Sequence, residues 1–323
     1  MHIAMDIGYS HVKSITTSNR VIIPSVVAPF RKLSLVDLSS QSDSGHVVEI
    51  RRVDGTTSKY FVGEMALREG HGASFSLDRE KHRHPNHDIL ALAAARVLNT
   101  GPGAMVVAGL PVAYYRTQRE ELKNHLEGLH AEVSVNGNKL KRISFGKAVV
   151  YPQGAGALFM APDLPQNGMV LLVDIGQKTT DYVTAEVAEG NVKPVSSLCG
   201  SVETGVQAIY EIVAQEFLSS TGMPLAAIRV PEIISQSGRI TYYGKERDFS
   251  GVINQARTDI ALAISDQVKA ALGDRLAFIK KVYLAGGGAE MLRSMTSLFP
   301  EAYVLPEPQW ANAAGFLKVV NAH

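Results

Sequence analysis

Two stretches of this 323-residue chain place a carboxylate, a glycine and cationic or hydroxyl side chains at the spacing a bound metal–phosphate would use. The first is Asp6-Ile7-Gly8-Tyr9-Ser10-His11-Val12-Lys13. Asp6 stands at a predicted strand end and would hold Mg²⁺ through water. Gly8, Tyr9 and Ser10 would offer backbone N–H groups, and Lys13, where the next strand folds back, would meet phosphate oxygens. A hairpin whose aspartate only caps its turn explains the same eight residues equally well. The second stretch is Asp174-Ile175-Gly176-Gln177-Lys178-Thr179-Thr180-Asp181. Here Asp174 would be the second metal-facing carboxylate. The hydroxyls of Thr179 and Thr180 join the amides after Gly176 to wrap a terminal phosphate as it is released. Two such turns facing one another would clamp one nucleotide by positioning and charge neutralisation, which is most of what phosphoryl transfer needs.

A third stretch, Leu284-Ala285-Gly286-Gly287-Gly288-Ala289-Glu290-Met291-Leu292, reads as a strand, three glycines and a helix start. Without Cβ atoms, backbone there can approach a base or ribose closely. A glycine triplet is not specific by itself. The chain has neither the spacing of a dinucleotide fingerprint nor a GxxxxGK[ST] loop, which argues against a dinucleotide dehydrogenase and a P-loop enzyme.

The elements that must carry these residues follow from the hydrophobic pattern. The triplet Asp-Ile-Gly recurs about half the chain apart, each time after an apolar run (His2 to Met5; Met169 to Val173) and before a second β-rich run (Val12 to Thr17; Tyr182 to Val187). That predicts strand, turn, strand, twice, and two related halves. Further strands are predicted at Val21 to Val27, Val47 to Val53, Tyr60 to Val62, Met105 to Ala108 and Lys281 to Ala285, with turns at Asp54-Gly55 and Asn136-Gly137. Helices are predicted at Asp88 to Leu98, Gln118 to Leu129, Val202 to Leu218 and Ile253 to Leu272. Ser39 to Gly45 and Leu77 to His87 read as surface loops, and Ala161 to Gly168 as the linker. Alternating helices and strands in each half indicate α/β domains.

Composition narrows the function. A hydrophobic fraction of 46% supports a core in each half, and a net charge of +1 argues against nonspecific nucleic-acid binding. The single cysteine, Cys199, excludes an intramolecular disulfide and a Cys-rich metal site; between Leu198 and Gly200 it reads as a buried small residue. The N-terminus lacks a signal-peptide pattern and no apolar run reaches a membrane span, so a cytoplasmic protein without membrane contact is expected. His71, His82, His84 and His87 cluster in a charged stretch. His82-x-His84 could ligate a metal, but without a nearby cysteine or a regular His-x₃-His spacing a solvated surface is the expectation.

The ordered segments MDIGYSHVK, YPQGAGALF, LLVDIGQKTTD, YLAGGGAEML and PQWANAAGF resemble the actin-like ATPase superfamily: first phosphate loop, first connecting helix, second phosphate loop, adenosine loop and second connecting helix. They run from Met5 to Phe316. The short length, the DxGxxxxK loop and the Pro308 to Gly315 segment look most like the ParM/StbA plasmid-segregation proteins and their archaeal relatives. The resemblance implies an α/β actin-like fold, two ribonuclease-H-like domains flanking a nucleotide cleft, each with a smaller inserted subdomain. In this sequence domain I would be 1–164 with its insert at about 29–80, and domain II 165–323 with its insert at about 202–277, the C-terminal helix returning to domain I.

The same resemblance implies ATP with Mg²⁺ as cofactors, GTP remaining an alternative, and ATP hydrolysis coupled to polymerisation. Asp6, Asp174 and Gln153 would be the catalytic residues, with Asp6 and Asp174 also facing the metal. ParM has glutamate where this chain has Gln153, so Gln153 is expected to orient the attacking water and not to act as a strong base. Gly154 and Gly156 would permit close helix packing. Gly200 would open a helix near Glu203, and Glu203 would be a ribose partner beside Gly286, Gly287, Gly288 and Glu290. The implied partners are further copies of the chain in a head-to-tail filament and a DNA-binding adaptor, with DNA touched only indirectly. A sugar or acyl kinase on the same fold is the alternative, although such enzymes need a carboxylate near the acceptor hydroxyl. A peptide-clamping chaperone would need an extra domain, and an MreB-like wall filament would need an amphipathic membrane anchor.

Overall fold

Each half of the chain builds its sheet from the same local instruction: an apolar strand, a glycine turn and a returning strand. The computed structural model describes residues 1–33, 45–71, 74–75, 83–226 and 229–321. Contacts divide the chain into two units, Met1–Met160 with Trp310–His323, and Ala161–Gln309.

In the first unit the strands are β1 (His2–Ile7), β2 (His11–Ile15), β3 (Arg20–Pro24), β4 (Val26–Pro29), β5 (Gly45–Arg51), β6 (Thr57–Gly63), β7 (Ser74–Phe75), β8 (Ala104–Leu110), β9 (His130–Val135) and β10 (Lys141–Pro152). The helices are α1 (Glu64–Glu69), α2 (Pro85–Val97), α3 (Val112–Gly128) and the short α4 (Ala155–Leu158). The sheet order is β3-β2-β1-β8-β10-β9-β5-β6-β4-β7. Its first three strands are antiparallel, while β1, β8 and β10 run parallel. The long β10 leaves β8 and pairs with β9 near its start, so one strand serves both parts of the sheet.

The second unit repeats the first five positions. Its strands are β11 (Asn167–Ile175), β12 (Thr180–Ala188), β13 (Asn191–Val202), β14 (Arg239–Tyr242), β15 (Lys245–Asp248), β16 (Ile279–Ala285) and β17 (Ala302–Val304); its helices are α5 (Gln207–Thr221), α6 (Val230–Ser235) and α7 (Ser250–Leu272). The main sheet order is β13-β12-β11-β16-β17, again three antiparallel strands followed by two parallel additions. Val170 to Val173 of β11 are fully buried on both faces, as a central strand requires. Along α7 the buried positions Ile253, Ala256, Ala261, Ile264, Val268 and Leu272 recur at helical spacing and face the sheet core.

The last helix, α8 (Ala311–Asn321), belongs to the first unit. Phe316, Leu317 and Val320 pack with Ala4 of β1 and Val107 of β8. Phe316 is fully buried, and its loss to alanine would cost about 3–5 kcal/mol. Among the described residues, no helix is long and apolar enough to cross a membrane.

Several sequence expectations shift. The run Val21 to Val27 is two strands, because Ser25 leaves the β2–β3 ladder and its N–H donates to the Ser10 carbonyl at 2.8 Å. The helix expected from Val202 begins at Gln207, since Val202 still pairs with Thr180 as the last residue of β13; Gly200, opposite Tyr182, therefore lies in a strand and opens no helix. No α-helix follows the glycine triplet: Ala289 and Leu292 donate to Gly286 and Gly288 in successive irregular turns, and a 3-10 segment spans Arg293–Ser297. The helix predicted from Gln118 starts earlier, at Val112, directly after Pro111. His87 does not lie on a solvated surface: it is 5% exposed in the first turn of α2, where His84 caps the helix. His82 and most of Ser39 to Gly45 lie outside the described residues.

Candidate functional site

In the first unit, Asp6 is the penultimate residue of β1 and pairs in register with Lys13 of β2. Between them Gly8 donates its N–H to the His11 carbonyl at 3.0 Å, closing a tight turn. A Cβ on Gly8 would sit 2.9 Å from that oxygen, so only glycine fits. The Ser25 hydroxyl donates to the Gly8 carbonyl at 2.7 Å and holds the turn from β4's side. Tyr9 is buried and Ser10 half-buried. The Ser10 hydroxyl lies 2.7 Å from His11 Nδ1. Burial first, then the Lys13 ammonium, push the His11 pKa down to about 4, against a smaller upward pull from Glu64, so this imidazole is neutral at pH 7.

Both oxygens of Asp6 have protein partners. Lys13 Nζ approaches Oδ2 at 3.4 Å, and the Gln153 side-chain amide donates to Oδ1 at 2.7 Å. A carboxylate can only accept, so this contact fixes which end of the Gln153 amide faces Asp6 and leaves Oε1 as the outward acceptor. A metal ion that met Asp6 through water fits this arrangement better than one bound directly. Gln153 is placed by its own N–H, which donates to the Leu110 carbonyl at 2.7 Å, and by the start of α4 behind it. Asn312 of α8 caps that helix: its side-chain oxygen accepts from Gly154 N–H at 2.9 Å and Ala157 N–H at 3.3 Å. A Cβ on Gly156 would overlap the Phe316 ring, and one on Gly315 would overlap the Gly156 carbonyl, so α4 and α8 meet backbone to backbone.

The second unit repeats the turn. Asp174 is the penultimate residue of β11 and pairs with Asp181; Gly176 donates to the Thr179 carbonyl at 2.9 Å, and a Cβ on Gly176 would stand 2.8 Å from it. The N-terminus of α5 closes over this turn. Val206 N–H donates to Gly176 at 3.2 Å, Gln207 N–H to Gln177 at 2.8 Å, and the Gln177 side chain donates to Gln207 at 2.7 Å. Gly205 must be glycine, since its Cβ would come within 2.6 Å of both turn carbonyls. Thr180 is fully buried with its hydroxyl on the Thr204 carbonyl at 2.8 Å, so its hydroxyl serves the fold, while Thr179 is 5% exposed and Lys178 half-buried. Asp181 accepts from the Ser201 hydroxyl.

The glycine triplet lies against the same strand end. Gly286 has φ of 84°, and a Cβ there would overlap Asp174 Oδ1 and the Ile175 carbonyl. Gly288 N–H donates to Ile175 at 2.9 Å and Gly286 N–H to Pro308 at 2.9 Å. Gly287 is exposed, and a Cβ on it would meet only Gln309 at 3.8 Å, so this glycine presents an open backbone face. Glu203 is exposed on the bend after β13, and Glu290 is exposed and ion-paired to Arg293, whose Nε donates at 2.7 Å.

The structure thus brings together Asp6, Lys13, Gln153 and the Gly8 turn in one unit, and Asp174, the Gly176 turn and the Gly286 to Gly288 backbone in the other. Ser25, Asn312 and Gln207 support these turns and were missed by the sequence reading. Only Asn312 carried a signal, as part of the PQWANAAGF segment. Cys199 lies in β13 with Sγ directed at the Val195 and Thr184 carbonyls, its thiol pKa pushed up by burial.

Two family models match, "Actin like proteins N terminal domain" over residues 4–156 and "Archaeal actin homologue MreB-like, C-terminal" over residues 172–296. No curated protein matched. Among solved structures the chain is similar to a 15-stranded ParM filament from Clostridium botulinum (24% identity, TM-score 0.87) and to a non-polymerisable quadruple mutant of pCBH ParM (23%, 0.86). It is also similar to Ta0583, an archaeal actin homolog, in complex with ADP (20%, 0.82). Each alignment covers 100% of this chain and 99% of the other. With an actin-like family model matched in each half, each spanning one copy of the duplicated turn, and the same fold from end to end, this chain belongs to the actin-like proteins.

Proposed function

We propose that this chain is an ATP-dependent filament-forming protein that segregates plasmid DNA through a DNA-bound adaptor, hydrolysis controlling disassembly. The observation that carries the nucleotide reading is the duplication: Gly8 N–H to His11 and Gly176 N–H to Thr179 close the same turn at 3.0 and 2.9 Å, each glycine two residues after a buried aspartate. Backbone amides of Gly8 to Ser10 and Gly176 to Thr179, with Lys13 and Lys178, are the phosphate-binding groups in this reading, and Gly286 to Gly288 the backbone open to the adenosine. Mg²⁺, held through water by Asp6 and Asp174, would supply charge neutralisation on the phosphates. Gln153, its amide nitrogen held by Asp6, presents Oε1 to accept a hydrogen bond from the attacking water and so aims it. It takes no proton. Filament formation rests on the relatives, of which one is itself a filament.

The test is light scattering followed by pelleting of the purified chain with ATP·Mg²⁺, with a non-hydrolysable analogue, and without nucleotide. A nucleotide-triggered rise, absent in Asp174→Ala, supports this reading. No rise at tens of micromolar protein, with phosphate released only on adding a sugar or acid acceptor, supports the kinase alternative instead.

A further inference from the structure

Away from both turns, the first unit gathers three metal-ligating side chains that the proposed function does not use. His87 and Asp88 stand in the first turn of α2, and His125 in the last turn of α3, 37 residues beyond Asp88. One ligand atom from each lies within 4.8 Å of the other two. His125 Nε2 is 2.5 Å from Asp88 Oδ1, His87 Nδ1 is 3.8 Å from the same oxygen, and the two rings meet edge to face at 6.1 Å.

The backbone holds these groups in place. Pro85 starts α2, and the His84 ring accepts from Asn86 N–H at 3.2 Å, which fixes the first turn. Buried Leu122 and Leu126 seat the last turn of α3, and Arg83 Nε to Glu121 at 2.9 Å draws the same helix toward the residues just before α2. Side-chain exposure rises from 5% at His87 through 24% at Asp88 to 33% at His125, so the cluster has a dry wall and an open side. Asp88 also borders a surface depression of about 310 Å³ shared with Arg52, Asp54 and His130, through which solvent reaches the carboxylate.

We propose that His87, Asp88 and His125 form a divalent-cation site of the zinc class that staples α2 to α3, with water as the fourth ligand. Two imidazole nitrogens and one carboxylate oxygen suit Zn²⁺ or a neighbouring transition metal, whereas Mg²⁺ and Ca²⁺ prefer all-oxygen shells. Donor atoms around a tetrahedral zinc stand about 3.3 Å apart at ordinary bond lengths. The 2.5 and 3.8 Å spacings about Asp88 Oδ1 bracket that value. To ligate, His125 Nε2 must present its lone pair, so in the bound form the neutral ring carries its proton on Nδ1 and Asp88 is ionised.

The experiment uses the full chain, without a polyhistidine tag or nucleotide, cleared with a chelator and titrated with zinc chloride against a chromophoric competitor. One zinc per chain is expected at micromolar or tighter affinity, unaffected by millimolar magnesium chloride, with a thermal midpoint about 5 °C higher at a hundredfold excess over Kd. His125→Ala should weaken binding by about 100-fold or more and abolish the midpoint rise. Asp88→Asn, which keeps the side-chain shape, gives the same readout should His125→Ala fail to fold. Absence of zinc binding at tens of micromolar, or unchanged affinity in a folded variant, would leave an ion pair only and overturn the proposal.

Discussion

Gln153 donates its side-chain amide to the Asp6 carboxylate at 2.7 Å, across 147 residues of chain and inside the first unit's sheet. The contact ties the strand that ends in the first turn to the strand that leads into α4. It also makes glutamine and glutamate unequal at this position.

Gln153→Glu would set a second carboxylate against Asp6. One of the two must then bind a proton more tightly in the folded state than in the unfolded chain. A raised folded pKa contributes stability that is present at low pH and lost as pH rises. The variant should therefore match the parent near pH 5 and fall behind by about 1–3 kcal/mol at pH 8, read from urea unfolding at both pH values. A gap of equal size at the two would mean that the residues do not touch.

His11 has the opposite sign. Its pKa is depressed to about 4 from 6.5, so the unfolded chain binds more protons between those values. The stability tied to this group is whole above pH 6.5 and is lost as pH falls toward 4. Proton titration of the His11 ring by NMR should give a midpoint near 4, and His11→Gln should flatten the stability profile over that window. The groups facing it are Lys13, which favours the neutral ring, and Glu64, which opposes it.

Gly315→Ala tests the contact of α4 with α8. The added methyl would overlap the Gly156 carbonyl, a backbone atom that cannot swing away, and should cost about 3 kcal/mol. Gly251→Ala in α7, where nothing lies within 4 Å, is the control and should be neutral or slightly stabilising. Equal losses in the two variants would refute the close packing.

Asn312→Ala removes the acceptor shared by the Gly154 and Ala157 amides, both buried. About 2 kcal/mol of stability should go, with the position of Gln153 loosened at the same time. Asn312→Asp keeps an acceptor and should recover most of the loss.

Much of the fold was legible because its decisive features are local. The repeated Asp-Ile-Gly needs only short-range sterics: a glycine whose N–H turns back on the residue three further along, with an apolar strand before it. Both hairpins follow, and with them the placement of Asp6 and Asp174 at strand ends. Asn136-Gly137 is equally local, with both residues at positive φ between β9 and β10. The family fold could be expected from five such segments in order.

What stayed hidden depends on residues far apart in the chain. Val202 joins a strand because Thr180 offers it a partner, overriding the helical pattern that follows. His87 is buried with the His125 ring of α3 set edge-on against it, a partner from far along the chain that no charge pattern in its own segment foretells. Asn312 caps a helix 158 residues earlier, and Gln153 reaches Asp6 at 147. Turns are set by the backbone of a few neighbouring residues and can be read from them; partners are set by the packing of whole strands and helices, and exist only once the chain has folded.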